Sequence, residues 1–194
     1  DDEVILGAGT DSVTLGAGDD TVRFTGLGAT NNTITDFDFG DASGSNANVD
    51  QFDLAALGVN GDATVEIESN TSAGTATGGI AVLDSQARND ASEVETALGD
   101  LYSTGNRVFA LWQDGLGNVT FGVDSNAGTD NGGSDLTALG VLDGQTIAEV
   151  ASNIDLEDFT NAGFGQSVVS VANIPGSGAY SLLDTASNLD RATT

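Results

Sequence analysis

The chain has 194 residues, with 30 acidic side chains against four arginines, a formal charge of −26, and no Cys, His, Met or Lys. That length suffices for one good-sized domain or two small ones with a real core. The charge excludes nucleic acid and anionic membrane as electrostatic partners. The missing residue types exclude disulfides, Ser-His and Cys-His pairs, histidine-based zinc sites and lysine Schiff bases.

Residues 7 to 24 read GAGTDSVTL followed directly by GAGDDTVRF. Each nine-residue unit carries Gly, Gly, Asp and Val at its first, third, fifth and seventh places: Gly7, Gly9, Asp11, Val13, then Gly16, Gly18, Asp20, Val22. Asp2, Val4 and Leu6 fit the same frame in an earlier, incomplete unit. A strand of Val-x-Leu or Val-x-Phe buries two side chains on one face, because alternate residues point the same way. The Gly-x-Gly-x-Asp segment must then reverse the chain tightly, which glycine permits, and present carbonyl oxygens beside a hard carboxylate. Calcium takes about six to eight such oxygens at roughly 2.3–2.6 Å. Glycine-rich nonapeptides of this kind bind calcium in parallel β-helices. Two half-turns make one full turn, so Asp2 should share a row with Asp20, with Asp11 on the opposite edge. A halophile's solvated acidic surface would account for the charge but not for the register of Gly and Asp.

Gly26 to Thr30 reads as a decayed unit with Thr30 where Asp would stand. ITDFDFGD (34–41) and VDQFDLAALGV (49–59) follow, and Phe37, Phe39, Phe52, Leu54 and Leu57 are expected to cap the open end of the stacked turns. Asp36, Asp50 and Asp53 are further candidate ligands, or turn formers. The repeats and the DF…GD…DxxDL tail resemble the haemolysin-type calcium-binding (RTX) domains of bacterial proteins exported by type I secretion. The resemblance covers residues 1 to 59. It implies a short parallel β-roll, open without calcium and folded outside the cell. The ligand Asp position maps onto Asp2, Asp11 and Asp20, and the carbonyl-donating turns onto Gly7, Gly9, Gly16 and Gly18.

The remainder reads as a β-rich α+β domain. TVEIE (64–68) and GIAVLD (79–84) are expected strands, and Asp90 to Glu93 is a capping box opening a helix to about Tyr102. RVFALWQ (107–113) and NVTFGV (118–123) flank Asp114-Gly115-Leu116-Gly117, a hairpin signal. Trp112 is assigned to core packing. The acidic loop DSNAGTDNGGSD (124–135) places Asp124, Asn126, Gly128, Asp130 and Asp135 at its places 1, 3, 5, 7 and 12, close to an EF-hand spacing. Thr129 stands where glycine is expected, so the loop reads as a calcium loop of another kind, or as a long polar turn. A short helix at 146–151 and a strand at Ser167–Val171 complete the expected elements. The organisation expected is therefore repeats over 1–35, a capping segment over 36–60, and a mixed domain over 61–194.

No stretch approaches the roughly 20 apolar residues of a membrane span. No signal peptide is recognisable, and the chain opens inside a repeat unit, as a piece of a longer protein would. Paired carboxylates for glycoside hydrolysis lack an aromatic-lined cleft, so no enzyme is expected within this sequence. The reading that combines these features is a secreted, calcium-binding surface or matrix protein, of S-layer or adhesin type. It would bind several Ca2+ ions, pass through the type I secretion apparatus, and assemble with copies of itself. A cell-surface polysaccharide is a further candidate partner. The alternatives are the C-terminal secretion and folding module of a larger exoenzyme, and a carbohydrate-binding module, for which the stripe of exposed aromatics is missing.

Overall fold

The computed structural model describes residues 1–40, 48–128 and 134–160. The chain divides into two units, 1–164 and 165–194; the second, and with it the strand expected at Ser167–Val171, lies outside the described residues. The described part is mainly β, in two sheets with a few helices. None of its helices is long and apolar enough to cross a membrane.

Four short strands come from the repeat region: β1 (Glu3–Leu6), β2 (Ser12–Thr14), β3 (Thr21–Phe24) and β4 (Asn32–Thr35). Alternation sets their faces. In β3 Val22 and Phe24 are buried while Arg23 is exposed, and in β4 Asn32 and Ile34 are buried. The Gly-rich turns carry the chain from one sheet to the other and back. Hence β1 pairs with β3 in parallel, Val4 beside Val22, and β2 pairs with β4 in parallel, Val13 beside Ile34.

The rest of the described chain contributes β5 (Gln51–Asp53), β6 (Asp62–Ile67), β7 (Gly78–Leu83), α1 (Ala91–Leu101), β8 (Val108–Gln113), β9 (Val119–Asp124), β10 (Leu136–Asp143), α2 (Ile147–Asn153) and β11 (Phe159–Thr160). One sheet has the order β1-β3-β5-β11 and is parallel throughout. The other has the order β2-β4-β10-β9-β8-β7-β6, antiparallel only where β9 meets β8 and β10. The strands expected at 64–68, 79–84, 107–113 and 118–123 are β6 to β9. Asp114 closes the hairpin by accepting N–H bonds from Leu116 and Asn118, both at 2.9 Å. Asp90 caps α1 by accepting from Glu93 N–H at 3.0 Å, and Thr146 with Glu149 forms a capping box on α2. The sequence pattern does not mark β10, yet it joins the repeats to the rest by pairing in parallel with β4. Likewise β11 pairs with β5, so residues 1–35 and 61–160 contribute strands to both sheets, and residues 36–60 contribute β5 to the first.

Two apolar clusters result. The first lies between the sheets and gathers Leu6, Val22, Phe24 and Phe52 with Ile34, Phe109, Phe121 and Leu142, closed by Ile147 and Val150 of α2. Phe37, Phe39, Leu54 and Leu57 are buried in it too. The second covers the other face of the larger sheet, where α1 sets Val94, Leu98 and Leu101 on Ala81, Leu83, Ala110 and Trp112. Trp112 is thus a core residue. Every residue of β7 is buried, as a parallel strand covered on both faces must be.

Candidate metal centre

The residue before each of β1, β3 and β5 is an aspartate, and the strand register sets the three side by side as Asp2, Asp20 and Asp50. Asp20 Oδ1 accepts the Asp2 N–H at 2.6 Å, and Asp50 Oδ1 accepts the Asp20 N–H at 2.9 Å. Asp50 Oδ2 accepts from Asp38 N–H at 2.8 Å. The Asp20 and Asp50 carboxylates thus satisfy backbone donors that lead into a neighbouring strand or turn. Asp20 and Asp50 are both buried. Burial raises the Asp50 pKa; the N–H bonds from Asp38 and Asp20 oppose the rise, and the charges of the same two residues add to it. In the connecting turns Gly9 and Gly18 take φ of 114° and 128°, values that disfavour any side chain.

On the opposite edge Asp11 stands before β2, and its partner is not Thr30 but Asn32. The register pairs Ser12 with Thr33, and Asn32 Oδ1 accepts the Asp11 N–H at 3.1 Å. The fourth unit is longer than the frame anticipates, and its Asn32 also donates, from Nδ2, to the carbonyls of Ala29 at 3.0 Å and Leu139 at 2.9 Å. An aspartate has no donor for those two carbonyls, which accounts for the amide at this place. Asn32→Asp should cost at least about 2 kcal/mol of stability by urea denaturation, since it strands two buried acceptors and buries a charge. A loss below about 0.5 kcal/mol would show that Ala29 and Leu139 find other donors.

The remaining acids of the repeat region also hold backbone. Asp36, at φ 61°, accepts N–H bonds from Leu15 at 2.8 Å and Gly16 at 3.2 Å. Asp53 caps the following turn through Ala55 N–H at 2.9 Å and lies 3.8 Å from the Arg23 guanidinium. Among the described residues no group of three or more acidic side chains is placed to hold a metal ion.

At the base of the acidic loop the structure brings Asp124 and Asp135 together and adds Glu95 of α1, which the sequence pattern does not single out. Asp124 is 0 % exposed; its Oδ1 accepts from Asn126 N–H at 2.7 Å and its Oδ2 is buried without a partner. Glu95, also 0 % exposed, accepts the Asp135 and Leu136 N–H groups at 2.7 and 2.9 Å. Ser125 N–H donates to the Asp135 carbonyl at 3.1 Å, closing the loop. Burial pushes Asp124 up to about 6; its bond from Asn126 opposes this, and the charges of Glu95 and Asp135 reinforce it. Asn126 and Gly128 pack on residues 104–106, with the Ala127 N–H donating to Asn106 carbonyl at 2.8 Å. Asp130 lies outside the described residues.

A second buried acid escapes the sequence reading. Asp158, just before β11, is 0 % exposed; its Oδ2 accepts from Asp155 N–H at 2.7 Å and its Oδ1 has no partner. Burial pushes it up to about 8, opposed by the bond from Asp155 and reinforced by the charges of Asp155, Glu157 and Asp38. Glu95 had one legible signal: on a helix it shares a side with Leu98 and Tyr102, three and seven residues on. Asp158 had none, because its burial follows from a strand pairing distant in sequence.

No protein family matches the chain, and neither a curated protein nor a solved structure of detectable similarity was found.

Proposed function

We propose that the protein is a non-enzymatic, calcium-binding, secreted surface or matrix protein whose repeats form a short parallel β-roll, and which folds and assembles on extracellular Ca2+. The observation that supports this most is the succession of strands alternating between two parallel pairs, with β2, β3 and β4 each entered through a glycine-rich turn that ends in Asp or Asn. That arrangement sets the turns of successive units side by side, where carbonyls and carboxylates of two turns can share an ion. A net charge of −26 favours the open chain when cations are scarce. In millimolar calcium each occupied site adds folding free energy, about 2.7 kcal/mol at a hundredfold excess over its dissociation constant. Export in an open state followed by folding outside the cell then needs no disulfide.

Circular dichroism and light scattering on one sample during a calcium titration test this. A transition from coil to β structure with particle growth is expected. Full structure in chelator at low salt would sink the calcium reading, and folding without growth would remove assembly from it. Asp20→Asn separates the two uses of that side chain. The amide keeps the acceptor for the Asp2 N–H, so a pure backbone cap should leave the titration midpoint unchanged. A calcium ligand should move the midpoint to higher concentration by about tenfold.

A further inference from the structure

We infer that the protein binds a neutral saccharide beside Arg88, in a recess between α1 and the segment that joins β7 to it. The recess holds about 270 Å3 and is lined by Glu68, Gln86, Arg88, Ser92, Glu93 and Asp100. A second recess, of about 240 Å3, shares Arg88 and adds Trp112, Thr120 and Ala138. Each is smaller than the roughly 300–1,000 Å3 of sites for drug-sized ligands, which suits a single sugar ring. Arg88 supplies the call for a ligand. It is 4 % exposed, and its backbone N–H is fixed on the Gln113 carbonyl at 2.7 Å. Of its guanidinium nitrogens only Nη2 is bonded among the described residues, to Glu68 Oε1, while Nε is buried with no partner. Buried donors are ordinarily matched by acceptors, so this cation is short of them.

The surroundings select the class of ligand. Glu68, Glu93 and Asp100 repel a phosphate, sulfate or carboxylate, as does the net charge of −26. The Arg88 cation in turn opposes an ammonium group. Glu68 already touches Arg88, and its Oε2 accepts the Ser85 N–H at 3.2 Å. A ligand reaching this pair must therefore accept from one partner and donate to the other at adjacent atoms. A hydroxyl does both, and neighbouring hydroxyls on a sugar ring repeat the pattern. Gln86 and Ser92, exposed in the lining, are likewise donors and acceptors at once. In the adjoining recess Trp112 and Ala138 offer apolar surface to the C–H side of a ring. The inference rests on the proposed surface role only for the source of the saccharide, a cell-surface polysaccharide. None of its residues belongs to the repeats, so calcium-driven folding can hold while this fails.

The test is titration of the full chain, folded at fixed calcium, with neutral mono- and trisaccharides of glucose, galactose, mannose and N-acetylglucosamine, and separately with sulfate and spermine. Calorimetry gives the affinity, and the emission of Trp112, the chain's single tryptophan, gives the place. At least one of the sugars should bind with a dissociation constant of about 1 mM or lower and shift that emission. Gln86→Ala and Asp100→Asn, both at exposed positions, should each weaken binding by about three- to tenfold. Arg88→Gln should weaken it by about tenfold or more in chains that circular dichroism shows to be folded. Asp143→Asn, an exposed acid at the end of β10, should leave it unchanged. Binding of none of the sugars would overturn the inference. So would unaltered affinity in both Gln86→Ala and Asp100→Asn, or an equal loss in Asp143→Asn. Tighter binding of sulfate or spermine than of any sugar would make this an ion site, and would likewise overturn it.

Discussion

Phe52→Ala should lower stability by about 3–5 kcal/mol, the largest loss expected from a single truncation in this chain. Phe52 is 0 % exposed at the centre of β5. Its ring centroid lies 4.3 Å from that of Phe37, 5.2 Å from Phe109, 5.5 Å from Phe121, 6.0 Å from Phe24 and 6.2 Å from Phe159. These neighbours come from both sheets, so one deletion removes contacts across the whole interlayer core. Aromatic pairs add about 0.5–1.5 kcal/mol each beyond the area they bury, and rings around a cavity relax only partly. Against a total stability of about 5–15 kcal/mol such a loss leaves the fold marginal. Thermal unfolding at fixed calcium should show a melting point lower by roughly 6–20 °C. Phe39, which among the described rings touches only Phe37 and is slightly exposed, supplies the comparison: its truncation should cost clearly less. Equal losses at the two positions would mean that the Phe52 ring is not the centre of the packing between the sheets.

The difference between these two phenylalanines marks the limit of what a linear reading can reach. DFDF and QFDL announce buried rings equally well, since both sit between turn-forming acids. Local chemistry was enough for the strands of the repeats, the Asp114–Gly117 hairpin, the cap at Asp90 and the short helix at 146–151, because each is settled by residues close in sequence. The mainly β class was legible for the same reason. Long-range pairing was not. Leu136–Asp143 contains Ala, Gly and Leu in no clean alternation, and it is a strand because Gly140 can lie against the Asn32 backbone. A Cβ there would come within 2.5 Å of the Asn32 carbonyl oxygen. The acids divide in the same way. Asp2, Asp11 and Asp20 follow a repeat, so their places along each sheet edge were readable, although the backbone donor that Asp20 holds was not. Asp158 is buried by tertiary pairing alone, and nothing around it in sequence separates it from the many solvated carboxylates; Glu95 had only its place on the apolar side of α1.

Asp158→Asn should reverse part of the pH dependence of stability. The native carboxyl titrates at about 8, well above the roughly 3.9 of an unfolded aspartate, because burial disfavours its charge and Asp38, Asp155 and Glu157 repel it. A pKa raised on folding gives stability that is complete below the unfolded value. It is lost progressively as pH climbs from about 4 towards 8, at about 1.4 kcal/mol per pH unit. Asparagine has the same shape and no charge, so it escapes that loss. It places an amide where Oδ1 has no partner, a penalty of about 1–3 kcal/mol that does not vary with pH. The informative quantity is therefore the stability of the variant minus that of the wild type at each pH, at fixed calcium. Other titrating groups cancel in it. Between pH 5 and pH 8 that difference should move in favour of asparagine by up to about 4 kcal/mol. A flat difference would mean that water reaches Asp158 and relieves its burial.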